Sequence, residues 1–266
     1  MDDDGVAHDA SGFVADVDGT LLGDRVLLDQ LERSLPKLPV IAGGPRIGSA
    51  IARPGKIVGI GLNYADHAAE AGVPVPQEPV VFLKAPSSMI GPYDDITIPR
   101  GSIATDWEVE LGVVLGGTVS AGSTEKQVRA AIGGYVATND VTERHFSARG
   151  PTWAKGKCCD TFCPVGPWLV TADEIADPQA LTLSLWVNGE RRQHSSTAQM
   201  AVGVIDLLLF LADLMTLEPG DLILTGTPSG VAVGRPEPKP FLRPGDLVEL
   251  EIEGLGRQRT QVRAFA

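Results

Sequence analysis

A chain of 266 residues, 43% hydrophobic and 5% aromatic, can bury a sizeable core of Val, Leu, Ile and Ala, as one large domain or a main domain with a small appendage. Its formal net charge of −12, with no basic stripe to offset it, argues against a nucleic-acid or anionic-membrane partner. The 31 Gly and 20 Pro call for frequent turns and favour a β-rich α+β architecture over a helical bundle.

The first ten residues, MDDDGVAHDA, are acidic, lack an apolar signal core and read as disordered. The longest apolar run, Val202 to Leu211, contains Asp206 and is too short to span a bilayer, so a soluble, cytoplasmic protein is expected. Residues 11 to 55 read as a small module: a short strand, a hairpin turn at Asp18-Gly19, a second strand and a Pro/Gly-rich connection. The string DVDGTLL, Asp16 to Leu22, matches the first motif of haloacid-dehalogenase-type phosphatases, but no regular βα alternation follows it, and a hairpin is the better reading.

From Lys56 to the C-terminus a second, larger domain is expected. KIVGIGLNY reads as a strand, and ADHAAEAG as a short helix stopped by Gly72. His67 and Glu70 stand three apart and share a helix face, where a carboxylate-oriented imidazole is a candidate general base for water. Lys84 ends the apolar strand VVFLK and is placed to bring an ammonium to a pocket rim.

The organising stretch is Thr105 to Gly116, TDWEVELGVVLG. Alternation along a strand points Glu108 and Glu110 one way and Val109 and Leu111 the other. Two carboxylates side by side at the mouth of a buried strand repel and lose hydration unless a cation sits between them. Oxygen ligands of this kind suit Mg²⁺, Mn²⁺ or Ca²⁺. Thr124 to Val136 reads as a helix running into a strand that ends at Asn139 and Asp140, where a third carboxylate could join the first two.

VTERHFSARGPTW reads as a helical turn and loop, and KGKCCDTFCPVGPWLVT as a loop leading to a strand. Cys158, Cys159 and Cys163 are odd in number and too close to form a disulfide framework; they read as small buried hydrophobes in a reducing compartment. LTLSLWVNGERRQHSST reads as a hairpin about Asn188-Gly189, MAVGVIDLLLFLADLM as a buried helix, and LRPGDLVELEIEGLG as a closing strand pair. Between them, EPGDLILTGTPSGV gives a strand and a Gly/Thr/Ser loop whose backbone N–H groups suit a carboxylate.

Taken in order, GLNYADHAAEAG, FLKAPSS, DWEVELGVVLG, NDVTER, KGKCCDTFCPVGPW, VNGERRQ, EPGDLILTGTPSGV and LRPGDLVELEIEGLG resemble the fumarylacetoacetate hydrolase superfamily over residues 55 to 264. The resemblance is nearest to the bacterial subgroup labelled 2-hydroxyhepta-2,4-diene-1,7-dioate isomerase, ureidoglycolate lyase or diketo-acid hydrolase. It implies a mixed β-sandwich roll behind a small variable N-terminal module, and a homodimer or larger assembly. It also implies Mg²⁺ or Mn²⁺ held by Glu108, Glu110 and Asp140, and a lid whose His67 and Glu70 activate water. Lys157 matches the family's active-site lysine and Thr227 its substrate-contacting threonine, beside Gly226; Arg144 matches the arginine four residues beyond the metal aspartate. Three positions depart from the pattern: Ser147 replaces a common substrate-holding Gln, His145 a common Asp, and Ile60 the extra metal-ligating Asp of true fumarylacetoacetases.

The expected substrate is a small anionic 2-oxo or diketo acid, chelated by the metal, with Lys157 and Arg144 supplying local positive charge to an otherwise acidic protein. Hydrolytic cleavage of a C–C bond through a metal-stabilised enolate is the first expectation. Diene-dioate isomerisation or 2-oxo acid decarboxylation through the same enolate is the alternative, and a non-catalytic carboxylate-binding relative stands behind both.

Overall fold

In the computed structural model, which describes residues 5–265, the alternation of Val109–Leu115 sets the architecture. Val109, Leu111, Val113 and Leu115 are fully buried in the main core, whereas Val114 faces a second, smaller core on the sheet's other side. A strand buried on both faces must be central, and this one is. The six-stranded sheet runs Val170–Thr171, Ile132–Asn139, Val109–Leu115, Leu222–Leu224, Ile57–Gly61, Val80–Lys84. Leu222–Leu224 is antiparallel to the central strand and parallel to Ile57–Gly61.

A five-stranded sheet covers the main core: Glu190–Ser196, Thr182–Val187, Leu247–Ile252, Gly256–Arg263, Ile96–Thr97. Its inward residues Leu183, Leu185, Val248, Leu250 and Ile252 meet those of the first sheet, and Leu207, Leu208 and Leu211 of helix Val204–Leu214 complete the layer. This is the mixed, β-rich sandwich expected from the sequence. The Asn188-Gly189 hairpin forms as predicted, and Thr124 opens helix Glu125–Ala131 with a reciprocal capping box to Gln127.

The N-terminal segment differs from its expectation. No hairpin forms at Asp18-Gly19; Asp18 caps a helical turn at Gly19–Leu22, and Asp24 caps helix Arg25–Ser34. Each aspartate accepts backbone N–H bonds, Asp18 from Thr20 at 3.0 Å and Asp24 from Leu27 at 3.0 Å, so the side chain that suggests a turn starts a helix instead. Leu22 then packs into the smaller core beneath the sheet. Of the ten residues expected to be disordered, the first four lie outside the described residues; Asp9 donates its N–H to Pro39 O at 2.7 Å, and His8 pairs with Val40.

Candidate active site

Three elements end at one place. Antiparallel pairing sets Val109 opposite Asn139, which puts Glu108 and Asp140 at the same open end of the sheet, where the Asp140 N–H donates to Glu108 O at 2.9 Å. Glu110 follows on the same face. The next strand over, Leu222–Leu224, leads into the loop at Gly226 and Thr227. Glu108, Glu110 and Asp140 are all buried, with one carboxylate oxygen from each lying within 4.8 Å of the others.

Such a cluster needs positive charge. The short helical turns Arg144–Ser147 and Ala154–Lys157, and the end of strand Val80–Lys84, bring it. Lys157 Nζ is 2.8 Å from Glu108 Oε2 and also bonds Asp140 Oδ2, and Lys84 Nζ is 2.6 Å from Asp140 Oδ1. Arg144 spans Glu108 Oε1 at 2.5 Å and Asp106 Oδ2 at 2.9 Å. Three cations thus face Asp106, Glu108 and Asp140, and Glu110 is left over: among the described residues it forms no ion pair, and its Oε2 accepts only the Gly226 N–H at 2.8 Å.

The titration of the two glutamates separates accordingly. Burial, with the Asp140 and Glu108 charges beside it, drives the Glu110 carboxyl well above the usual range. Burial pushes Glu108 the same way, but Lys157 and Arg144 overcome it and hold that carboxyl at about 2. A buried all-oxygen donor set with one carboxylate lacking a counter-charge fits a hard divalent cation, with Glu108, Glu110 and Asp140 as its holders.

A cleft of about 340 Å³ opens over the cluster. Helix Ala65–Ala71, stopped by Gly72 in the left-handed conformation (φ 68°), closes one side of it. Its His67 lines the cleft, and His67 Nδ1 lies 3.3 Å from Glu70 Oε2. The helix is tied down at several points: Ser195 Oγ donates to Asp66 at 2.7 Å, Gly230 N–H donates to Glu70 at 3.0 Å, and buried Asn63 bonds Val202 and Thr225. Arg144 and Ser147, three apart on one helical turn, both face the cleft.

Other positions differ from the simple expectation. Lys84 is fully buried behind Asp140 rather than at a rim. Thr227 lines the cleft, but its hydroxyl donates to Val109 O at 3.0 Å and accepts from Gln193 Nε2 at 2.9 Å. The Gly226 N–H meets a carboxylate, that of Glu110. Ser147 Oγ is buried and, among the described residues, has no hydrogen-bond partner. Cys163 is buried as a small hydrophobe, its thiol pushed up to about 12 by burial, while Cys158 and Cys159 are half-buried.

Two residues of the site escape sequence reasoning. Asp106 is fully buried, accepts from the Ala232 N–H at 2.7 Å and anchors Arg144; its place in DWEVE was a signal, but alternation alone gave it no partner. Gln193 lies in an edge strand where the register slips against Leu185/Trp186, and this bulge accompanies an inward-facing amide. Its Oε1 accepts from Val109 N–H at 3.0 Å, bracing the carboxylate strand. No local signal marks it.

The family model for fumarylacetoacetate (FAA) hydrolase, C-terminal, matches residues 56–263. A Burkholderia multivorans protein that carries the general name hydrolase is 50% identical over 265 residues, covering 99% of this chain and 94% of its own. Among solved structures, 2-hydroxyhepta-2,4-diene-1,7-dioate isomerase from Mycobacterium marinum is 34% identical with a TM-score of 0.70, over 86% of this chain and 79% of that one. Maleylpyruvate hydrolase from Sphingobium sp. SYK-6, solved with manganese(II) and pyruvate, is 27% identical with a TM-score of 0.81, over 98% and 94% of the two chains.

Proposed function

For an enzyme that belongs to the fumarylacetoacetate hydrolase family, as this chain does, we propose divalent-metal-dependent hydrolysis of a C–C bond in a diketo or acylpyruvate-type 2-oxo acid. The observation that carries the reading is the buried Glu108, Glu110, Asp140 cluster lying under the same cleft that His67 lines. Mg²⁺ or Mn²⁺ held there by Glu108, Glu110 and Asp140 would supply Lewis-acid charge to the 2-oxo end of the substrate.

The remaining work falls to side chains. Lys157 and Arg144 hold the substrate carboxylate and stay protonated: burial disfavours their charge, but the carboxylates facing them raise both values. Glu70 orients the imidazole of His67, which takes a proton from water, and the hydroxide adds to the distal carbonyl. The C–C electron pair leaves to the pyruvate carbons, which are then protonated; the products are pyruvate and a carboxylic acid. The manganese and pyruvate in the Sphingobium relative support this assignment.

Isomerisation of a 2-hydroxy-diene-dioate is the second reading, favoured by the M. marinum relative; it and decarboxylation need the enolate but no attacking water. A homodimer, of twice the 28.0 kDa chain mass, is the proposed assembly. No helix among the described residues is long and apolar enough to cross a membrane.

The test is turnover of acylpyruvates, oxaloacetate and a 2-hydroxy-diene-dioate with Mg²⁺ or Mn²⁺, then with EDTA, for wild type and Glu108→Ala. Metal-dependent release of pyruvate plus an acid, lost in Glu108→Ala, is expected. An absorbance shift without fragmentation would transfer the assignment to isomerisation, and carbon dioxide release to decarboxylation.

A further inference from the structure

The positive charge of the cleft is concentrated at one point. Among the described residues Lys157 and Arg144 are the only lysine or arginine lining it, and both contact the single carboxylate of Glu108, at 2.8 and 2.5 Å. A 2-oxo acid held there uses both.

The wall beside them is apolar. Phe82 and Trp153 meet edge-on, ring centroids 5.4 Å apart at 61°. They lie against the strand Ile57–Gly61 at its two glycines. A Cβ on Gly59 would sit 2.8 Å from Phe82 Cε1, and one on Gly61 would sit 2.6 Å from Trp153 Cη2, so any side chain at either position would displace the rings. Phe82 abuts the charged end, its centroid 4.8 Å from Lys157 Nζ. Leu62 and Ala148 extend this lining, and Ser147 adds only a short hydroxyl. Among the described residues that buried hydroxyl has no hydrogen-bond partner, so it can donate one hydrogen bond to a neutral acceptor and cannot neutralise a carboxylate's charge.

A second carboxylate on this wall would lose its hydration against two aromatic rings with no cation to replace it, inside a protein of net charge −12. We propose that the cleft selects 2-oxo monoacids carrying an apolar, preferably aromatic, distal group, and rejects dioic acids, with Trp153 and Phe82 as specificity-determining residues.

The inference rests on the same site as the proposed function, but its test does not depend on turnover. The probes are 4-phenyl-2-oxobutanoate and 2-oxoglutarate, which share the chelating end and differ in the distal group, titrated calorimetrically into the Mg²⁺-loaded full chain. The aromatic acid is expected to bind at least tenfold more tightly. Trp153→Ala should bring the ratio of the two affinities close to one, and Trp153→Phe should largely restore it. A folded Trp153→Ala variant is confirmed by circular dichroism; where it fails to fold, Leu62→Arg, which adds a cation to the wall, is expected to raise 2-oxoglutarate affinity relative to the aromatic acid. Equal or tighter binding of 2-oxoglutarate by the wild type overturns the proposal, as does a ratio unmoved by the variants or no binding of either acid. Preference without C–C cleavage of any substrate would leave the subsite standing and sink the hydrolase reading; cleavage without preference would do the reverse.

Discussion

Two acidic motifs of the same spacing meet opposite fates in this molecule. Asp16 and Asp18, in DVDGT, lie near the surface: Asp18, half-buried, caps a helical turn and pairs at 2.9 Å with Arg53, which stays exposed. Glu108 and Glu110, in DWEVE, are buried on one face of the sheet beside Asp140. The first pair satisfies backbone N–H groups and needs nothing more. The second is like charge out of water, and it draws in Lys84, Lys157, Arg144 and, on the reading above, a divalent cation. Chemistry follows from the burial and not from the motif.

The largest effects are expected at the buried motif. Glu110→Ala or EDTA treatment should remove measurable Mg²⁺ binding by calorimetry and lower kcat/KM by about 10³-fold or more, equivalent to roughly 4 kcal/mol of transition-state stabilisation. An unchanged metal affinity in Glu110→Ala would break the contrast. His67→Gln should lower kcat by about 10²-fold or more while leaving the Mg²⁺ isotherm of the protein close to wild type, which separates the water-activating group from the metal holders. Loss of metal binding in this variant would show that the helix carrying His67 is part of the metal site.

Smaller effects test the scaffold. Leu111, on the opposite face of the carboxylate strand, is fully buried, and Leu111→Ala should cost about 2–5 kcal/mol in urea unfolding through the cavity it leaves. At the surface, Asp18→Ala should cost about 1 kcal/mol through loss of the helix cap, with turnover and metal affinity unchanged. A drop in turnover with Asp16→Asn or Asp18→Ala would reopen a catalytic role for the exposed motif.

Much of the active-site face was legible because it is local in the chain. The alternation in TDWEVELGVVLG announced both the buried strand and the carboxylate pair, and the three-residue spacing of His67 and Glu70 announced their contact, which forms at 3.3 Å. Local reading failed where one residue type serves two local structures: Asp18-Gly19 suits a hairpin turn, yet the Asp18 carboxylate accepts from Thr20 and Leu21 and begins a helix. It also failed where partners are far apart in sequence, as for Asp106 with Ala232, Gln193 with Val109, and Lys84 with Asp140.

By itself, then, the sequence determined what depends on period and short spacing: the β-rich core, the strand carrying Glu108 and Glu110, the helix beginning near Thr124 and the one stopped by Gly72, and the resemblance over residues 55 to 264. Only the tertiary structure decided which charges are dehydrated together, and so why Glu108 is held ionised while Glu110 is pushed toward its neutral form. It alone set Phe82 and Trp153 over two glycines as an uncharged wall. Hydration and close approach are properties of neighbours in space, and chain spacing carries no information about them.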